Sequence, residues 1–72
     1  MNKVEASMAG TVWKVLVSEG DVVESGQDVI ILESMKMEIP LSAEMDGKVS
    51  KIMTNEGDFV AEGDVLLELE GI

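Results

Sequence analysis

The stretch GTVWKVLVSEGDVVESG, residues 10–26, returns 37 positions later as GKVSKIMTNEGDFVAEG, residues 47–63. The two copies align without a gap, and 8 of their 17 positions are identical. Each copy continues into an apolar segment, DVIILE in the first and DVLLELE in the second. Because a unit this short cannot bury its own apolar face, the copies must pack against each other. We therefore expect a single domain over 1–72 whose halves, 10–35 and 47–72, are related by pseudo two-fold symmetry.

Both copies have the composition of β-strands joined by tight turns. β-branched residues are frequent in TVWKVLV and KVSKIMT, and turn residues bound both segments. Their apolar residues are spaced by three and then by two, which predicts a β-bulge in each segment. SEGD and NEGD are typical turn sequences, in which Gly20 and Gly57 are expected to adopt positive φ.

We expect eight short strands and no helix. Eight strands in two related halves predict an all-β fold, a flattened barrel or sandwich of two four-stranded antiparallel sheets with quasi two-fold symmetry (a barrel-sandwich hybrid). Pro40 within the fifth strand indicates an edge or a bulge. Trp13 aligns with Ser50, which indicates a half-exposed side chain. The predicted strands are 3–7, 11–17, 21–23, 27–33, 37–43, 47–54, 58–60 and 64–70.

The composition excludes several classes of function. Five lysines face fifteen acidic residues, a formal charge of −10, so nucleic acid and anionic membrane surfaces would repel the chain. Cysteine and histidine are both absent, which removes the usual metal ligands and the usual general base. There is no apolar run near 18 residues and no apolar core of a signal peptide. We expect a cytoplasmic protein without a metal site.

The first copy contains a hairpin that has no counterpart in the second, where the chain ends. VIILES leads into this hairpin and MEIPLSA leads out of it. Two-residue hairpin turns favour Asn-Gly or Asp-Gly, because their central residues need positive φ. Here Ser34, Met35, Lys36 and Met37 form the turn without a glycine, which predicts local strain of the kind found at functional sites. Exposed methionines are also typical of adaptable contact surfaces.

Three interpretations of Lys36 compete. It could be an ordinary solvated loop lysine, but the glycine-free turn and the flanking methionines argue against that. It could be a catalytic lysine, but a Schiff-base lysine needs a desolvated pocket, which a hairpin tip does not offer. The third interpretation is an attachment point, because a tip presents its amine to the active site of another enzyme. We favour the third interpretation.

The segment Glu33-Ser34-Met35-Lys36-Met37 resembles the Glu-Ala-Met-Lys-Met motif of the biotinyl domain family, which includes the biotin carboxyl carrier proteins. Serine replaces the alanine of that motif. The resemblance continues through ASMAGTVWKVLVSEGD and DGKVSKIMTNEGDFVAEGDVLLELE, and so covers nearly the whole chain. The segment from Val17 to Asp28 is too short for the protruding thumb of some bacterial carriers, so the resemblance is to the thumbless members.

The resemblance implies a carrier without catalytic activity of its own. A biotin protein ligase would join biotin to Lys36, and the domain would carry carboxyl groups from a biotin carboxylase to a carboxyltransferase. Ser34, Met35 and Met37 would complete the tip motif. Glu33 would either contact basic groups of the ligase or be an ordinary solvated charge, and both interpretations stay open.

Two alternatives to a biotin carrier remain. Ser34 matches the motif of the related lipoyl domains, which have Thr or Ser two residues before the modified lysine. Those domains normally have Asp immediately before the lysine, where this chain has Met35. Lipoate is therefore the less favoured cofactor. The other alternative is an unmodified protein-interaction module of the same fold.

Overall fold

Short strands and tight turns form the structure from residue 2 to residue 71. The computed structural model describes the backbone of residues 2–71 and the side chains of residues 3–71. All eight predicted strands are present in this part of the chain, with bounds that differ from prediction by at most two residues. Residues 1 and 72, which the predicted domain includes, lie outside the described residues. The strands are β1 Asn2–Glu5, β2 Gly10–Val15, β3 Val22–Val23, β4 Asp28–Ser34, β5 Met37–Ser42, β6 Gly47–Ile52, β7 Phe59–Val60 and β8 Val65–Glu70.

The strands described form two four-stranded antiparallel sheets, as predicted. One sheet has the order β1-β8-β6-β3 and the other the order β5-β4-β2-β7. An offset of 37 residues, added for two strands and subtracted for the other two, relates each strand of one sheet to the strand at the same place in the other. The sequence repeat is therefore a pseudo two-fold symmetry of the fold. Pro40 lies in β5, an edge strand, where its missing N–H leaves no ladder position unfilled.

The two predicted β-bulges lie at equivalent places. The pairing of β2 with β4 shifts register at Trp13, and the pairing of β6 with β8 shifts at Ser50. Each bulge inserts one unpaired residue and bends its strand. This explains the three-then-two spacing of apolar residues, because the buried face resumes one position later. Trp13 is half-exposed, as expected, and the Lys14 ammonium lies 5.4 Å from the centre of its ring.

Pairs of residues related by the two-fold fill the core between the sheets. Each buried apolar residue of the first half has a buried counterpart 37 residues later, and this counterpart is apolar in every pair except Val17 with Thr54. Close packing of such pairs buries one face of each sheet, and each large side chain contributes about 1.5–3 kcal/mol. The main pairs are Val12 with Val49, Val23 with Val60, Val29 with Leu66, Ile30 with Leu67, and Leu32 with Leu69.

The turns of each half are bonded to strands of the other half. Gly20 donates its N–H to the carbonyl of Val49, and Gly57 donates to the carbonyl of Val12, both at 2.8 Å. The φ angles of Gly20 and Gly57 are 95° and 94°, which confirms the prediction of positive φ. A β-branched side chain at either place would be strained.

Two glutamates extend these crossed connections. Glu19 Oε2 accepts a hydrogen bond from the N–H of Ile52 at 3.0 Å. Its counterpart Glu56 does the same for the N–H of Val15 at 3.1 Å. Each carboxylate satisfies a backbone donor near the end of a strand in the opposite half. We call these two contacts the reciprocal glutamate bonds.

Residues 2–71 contain no helix of the length and hydropathy that a membrane span requires.

Candidate functional site

The β4–β5 hairpin ends in a two-residue turn. Ser34 pairs with Met37 as the last rung of the ladder, which leaves Met35 and Lys36 as the turn residues. Their φ angles are 51° and 65°, and among the described residues they alone, glycines aside, have positive φ. Two central residues with positive φ are the mark of a type I′ turn. The predicted strain is therefore present, since each side chain in this region costs on the order of 1 kcal/mol.

The turn exposes its apolar side chains beside the amine. Met35 is 92% exposed and Met37 is 64% exposed, and Lys36 lies between them, also exposed. Ser34 is half-buried and anchors the turn to the ladder. The result is a primary amine held clear of the sheets, with a thioether on each side.

Gly10 supports the strand that leads to the tip, a role that was not predicted from the sequence. A Cβ atom at Gly10 would lie 2.8 Å from the carbonyl oxygen of Glu33 and 3.4 Å from Cβ of Ser34. Its counterpart Gly47 has the same relation to Glu70, at 2.6 Å. Only glycine permits so close an approach of two backbones. The identity of Gly10 and Gly47 in the repeat was the available signal.

An acidic pair lies one rung below the turn. Glu33 of β4 is directly opposite Glu38 of β5, and both side chains are exposed. Like charges directly opposite each other destabilise a sheet. On its other side Glu33 lies opposite Thr11, whereas its counterpart Glu70 lies opposite Lys48, so that only the second of these equivalent rungs carries opposite charges. The hairpin with the exposed lysine thus has a negative patch without a cation across the ladder.

The tip provides no enclosure for a reaction. Three cavities of about 410, 390 and 520 Å³ are lined entirely by residues outside 33–38. The largest lies on the two-fold axis, because its lining consists of equivalent pairs such as Val15 with Ile52 and Val17 with Thr54. Within residues 2–71 no three acidic side chains cluster in a way that could hold a metal ion. The hairpin can present an amine but cannot surround a substrate.

Comparison with known proteins shows to which family this domain belongs. A family model described as "Biotin-requiring enzyme" matches residues 2–69. The chain belongs to the biotin/lipoyl attachment domain family. The "Biotin/lipoyl attachment protein" of Bacillus subtilis (strain 168) is 61% identical to this domain over 66 residues, which cover 92% of this chain and 90% of that protein. The expected family is therefore confirmed.

Other relatives of this attachment domain match shorter stretches. The "Methylmalonyl-CoA carboxyltransferase 1.3S subunit" of Propionibacterium freudenreichii subsp. shermanii is 58% identical over 36 residues, 50% of this chain and 29% of that subunit. "Biotinylated protein TB7.3" of Mycobacterium tuberculosis (strain ATCC 25618 / H37Rv) is 50% identical over 40 residues, 56% of each chain.

A solved structure confirms the fold. The urea carboxylase of Kluyveromyces lactis contains a region that superposes on 96% of this domain with a TM-score of 0.90 and 38% sequence identity. The matching region is 6% of that enzyme, so the likeness concerns one small part of a large protein. This attachment domain is a carrier rather than a catalytic domain, as the resemblance had implied.

Proposed function

We propose that Lys36 carries biotin and that the domain transfers carboxyl groups between two separate active sites. A biotin protein ligase attaches the biotin, a biotin carboxylase loads the carboxyl group and a carboxyltransferase removes it. The observation that carries this proposal is the position of Lys36 at the exposed apex of a strained turn, between Met35 and Met37. Membership of the attachment domain family supports it, and so does the similarity to a biotinylated protein and to a carboxyltransferase subunit. A cytoplasmic location is part of the same proposal.

The residues present fit an amide-linked cofactor. Lys36 has a free ε-amine on a flexible stem, and neither neighbouring side chain encloses it. Biotin, when attached, supplies the chemistry of carboxyl uptake and release. The chain itself holds the amine at a fixed point and extends it from the sheets. An acylated lysine loses its charge, so the attachment does not require a counter-charge on the domain.

The remaining tip residues have positioning and recognition roles in this proposal. Ser34 fixes the start of the turn through its rung with Met37. Met35 and Met37 offer apolar surface that an enzyme can cover when it binds the tip. Glu33, with Glu38 opposite, offers a negative patch to basic groups of the ligase. This patch explains how a like-charged rung is useful in spite of its cost in stability.

The intact mass of the domain tests the proposal. Protein treated with a biotin protein ligase, biotin and ATP should gain a single biotinyl group, and peptide mapping should place it on Lys36. Lys36→Arg keeps the charge but removes the acylatable amine, so this variant should gain nothing while its urea unfolding curve stays within about 0.5 kcal/mol of the wild type.

The matched controls are two of the other four exposed lysines. Lys14→Arg and Lys51→Arg occupy equivalent places in the two halves and should be labelled as well as the wild type. A biotinyl group on Lys14, Lys48 or Lys51 of the wild type contradicts the assignment of Lys36. A lipoyl group after treatment with a lipoate ligase, and no biotinyl group, indicates the lipoyl carrier. No modification by either enzyme indicates an interaction module.

A further inference from the structure

We propose that Met35 and Met37 form an oxidation site. A hydroperoxide converts their thioethers to sulfoxides, and this lowers the capacity of Lys36 to accept biotin while the fold stays intact. The effect on labelling rests on the proposed function, whereas the selectivity of the oxidation does not.

Access of solvent to sulfur is the first argument. Oxidation of methionine follows exposure of the thioether. Met35 is 92% exposed and Met37 is 64% exposed, compared with 50% for Met53 and 40% for Met8. Met45 is only partly exposed and packs against the core. The two residues that flank the proposed acceptor are therefore the most reactive methionines among the described residues.

Separation from the core is the second argument. Oxidation of a buried methionine disrupts packing, because the sulfoxide is polar. Neither Met35 nor Met37 belongs to the hydrophobic core, and neither packs against it, whereas Met45 does. Oxidation at the tip therefore changes the surface that an enzyme meets without changing the stability of the sheets. Because of this location, oxidation affects recognition of the tip and leaves the stability of the fold unchanged.

The chemical step is a two-electron oxygen transfer. The thioether sulfur attacks the terminal oxygen of the hydroperoxide, and the S–O bond forms as the O–O bond breaks. The proton of the transferred hydroxyl passes to the departing oxygen, which leaves as water when the oxidant is hydrogen peroxide. Sulfur is oxidised and the peroxide is reduced. The apolar thioether becomes a polar sulfoxide on each side of the Lys36 amine.

Peptide mapping after timed treatment with hydrogen peroxide tests the selectivity. Met35 and Met37 should become sulfoxides about tenfold faster than Met45, in keeping with their exposure. Equal rates at the three residues would overturn the oxidation site. This readout does not depend on biotin.

Labelling rates test the effect on function. Apo domain oxidised at the tip should accept biotin from the ligase about tenfold more slowly than untreated domain, because apolar contact is replaced by a polar group. Treatment with methionine sulfoxide reductases should restore the rate. The urea midpoint should be the same before and after oxidation. An unchanged labelling rate after complete oxidation would refute the effect on Lys36.

A double variant separates the tip from other damage. In Met35→Leu/Met37→Leu the ratio of labelling rates with and without peroxide should be 1, whatever the rate of the variant itself. In Met53→Leu, which alters a methionine away from the tip, the tenfold loss should persist. A loss in the double variant as large as in the wild type would show that oxidation acts elsewhere. Failure of untreated wild type to gain biotin refutes the proposed function, and the peptide map still decides the oxidation site.

Discussion

A lysine and a methionine occupy backbone positions at the tip that usually belong to glycine or asparagine. The φ angles of Met35 and Lys36 are 51° and 65°. A glycine at either position would remove the steric cost, but it would also remove the side chain that the tip presents. The strain therefore follows from the need for a side chain at the apex of a two-residue turn.

Glycine substitutions at the two methionines that flank Lys36 should have opposite effects on stability. Met35→Gly relieves positive-φ strain of about 1 kcal/mol and loses part of that through the greater freedom of the unfolded chain, so we expect a net gain of about 0.5 kcal/mol. Met37→Gly lies in β5 outside the positive-φ region and should lose about 0.5–1 kcal/mol. Urea unfolding of both variants gives the comparison. If Met35→Gly lost as much free energy of unfolding as Met37→Gly, the inference of strain at Met35 would be wrong.

At the scale of strands and turns, the two halves are joined by contacts that come in equivalent pairs. The reciprocal glutamate bonds are the clearest case, because Glu19 and Glu56 each satisfy a backbone donor of the other half. A third glutamate, Glu62, has the same place in its own turn, immediately before a glycine of positive φ. It has no such bond among the described residues. The chain therefore provides a matched comparison.

Removal of either reciprocal glutamate should destabilise the domain. Glu19→Ala and Glu56→Ala each leave a strand-end N–H without its charged acceptor, and we expect a loss of about 0.5–1 kcal/mol, because both sites are exposed and water partly replaces the carboxylate. Glu62→Ala should change the free energy of unfolding by less than about 0.5 kcal/mol. Equal losses in all three variants would mean that turn propensity, rather than the bond between halves, is measured.

The sequence predicted the parts of the element structure that depend on local pattern. The spacing of Val12, Val15 and Val17 indicated a bulge, and the bulge lies at Trp13. Strand ends were less predictable, since apolar spacing continues to Val17 while the ladder of β2 ends at Val15. In the tip, the absence of glycine predicted the strain at Met35.

Other features could not be predicted from local sequence patterns, because they depend on which segments come close together in the folded structure. Several glutamates lie near turns, and nothing local tells which of them reaches the opposite half. The contact of Gly10 with the carbonyl of Glu33 likewise depends on the distance between two strands. Both features recur at the position 37 residues away, so the internal repeat was the one sequence signal available for them.

At the scale of the whole molecule, neither half has a complete set of hydrogen-bond partners of its own. Gly20 bonds to Val49 and Gly57 bonds to Val12, so each turn is finished by the other copy. The core is likewise made of pairs of buried residues, one from each half, that the pseudo two-fold symmetry relates. The halves must therefore form and unfold together, as expected for a cooperative small domain.

A single turn substitution should weaken both halves equally. Gly20→Val forces a β-branched residue into φ near 95°, and we expect a loss of more than about 1 kcal/mol. In native-state hydrogen exchange, the amides of Val12 and Val49 should lose the same amount of protection in this variant. Gly57→Val should lower the free energy of unfolding and the protection of the same two amides by the same amounts. Reduced protection of Val49 alone would show that the halves open independently.

The stiffness of the hairpin also governs how often a carried group meets its target. Lys36 is fixed at its backbone by the strained turn, and only the side chain and whatever is attached to it can move. An arm that reaches on the order of 10 Å from a fixed point searches a volume equivalent to a local concentration of roughly 0.1–1 M. Once an enzyme holds the tip, the encounter between the carried group and the active site no longer depends on the bulk concentration of the carrier. A disordered loop around the same lysine would dilute this advantage, because effective concentration falls as the searched volume grows.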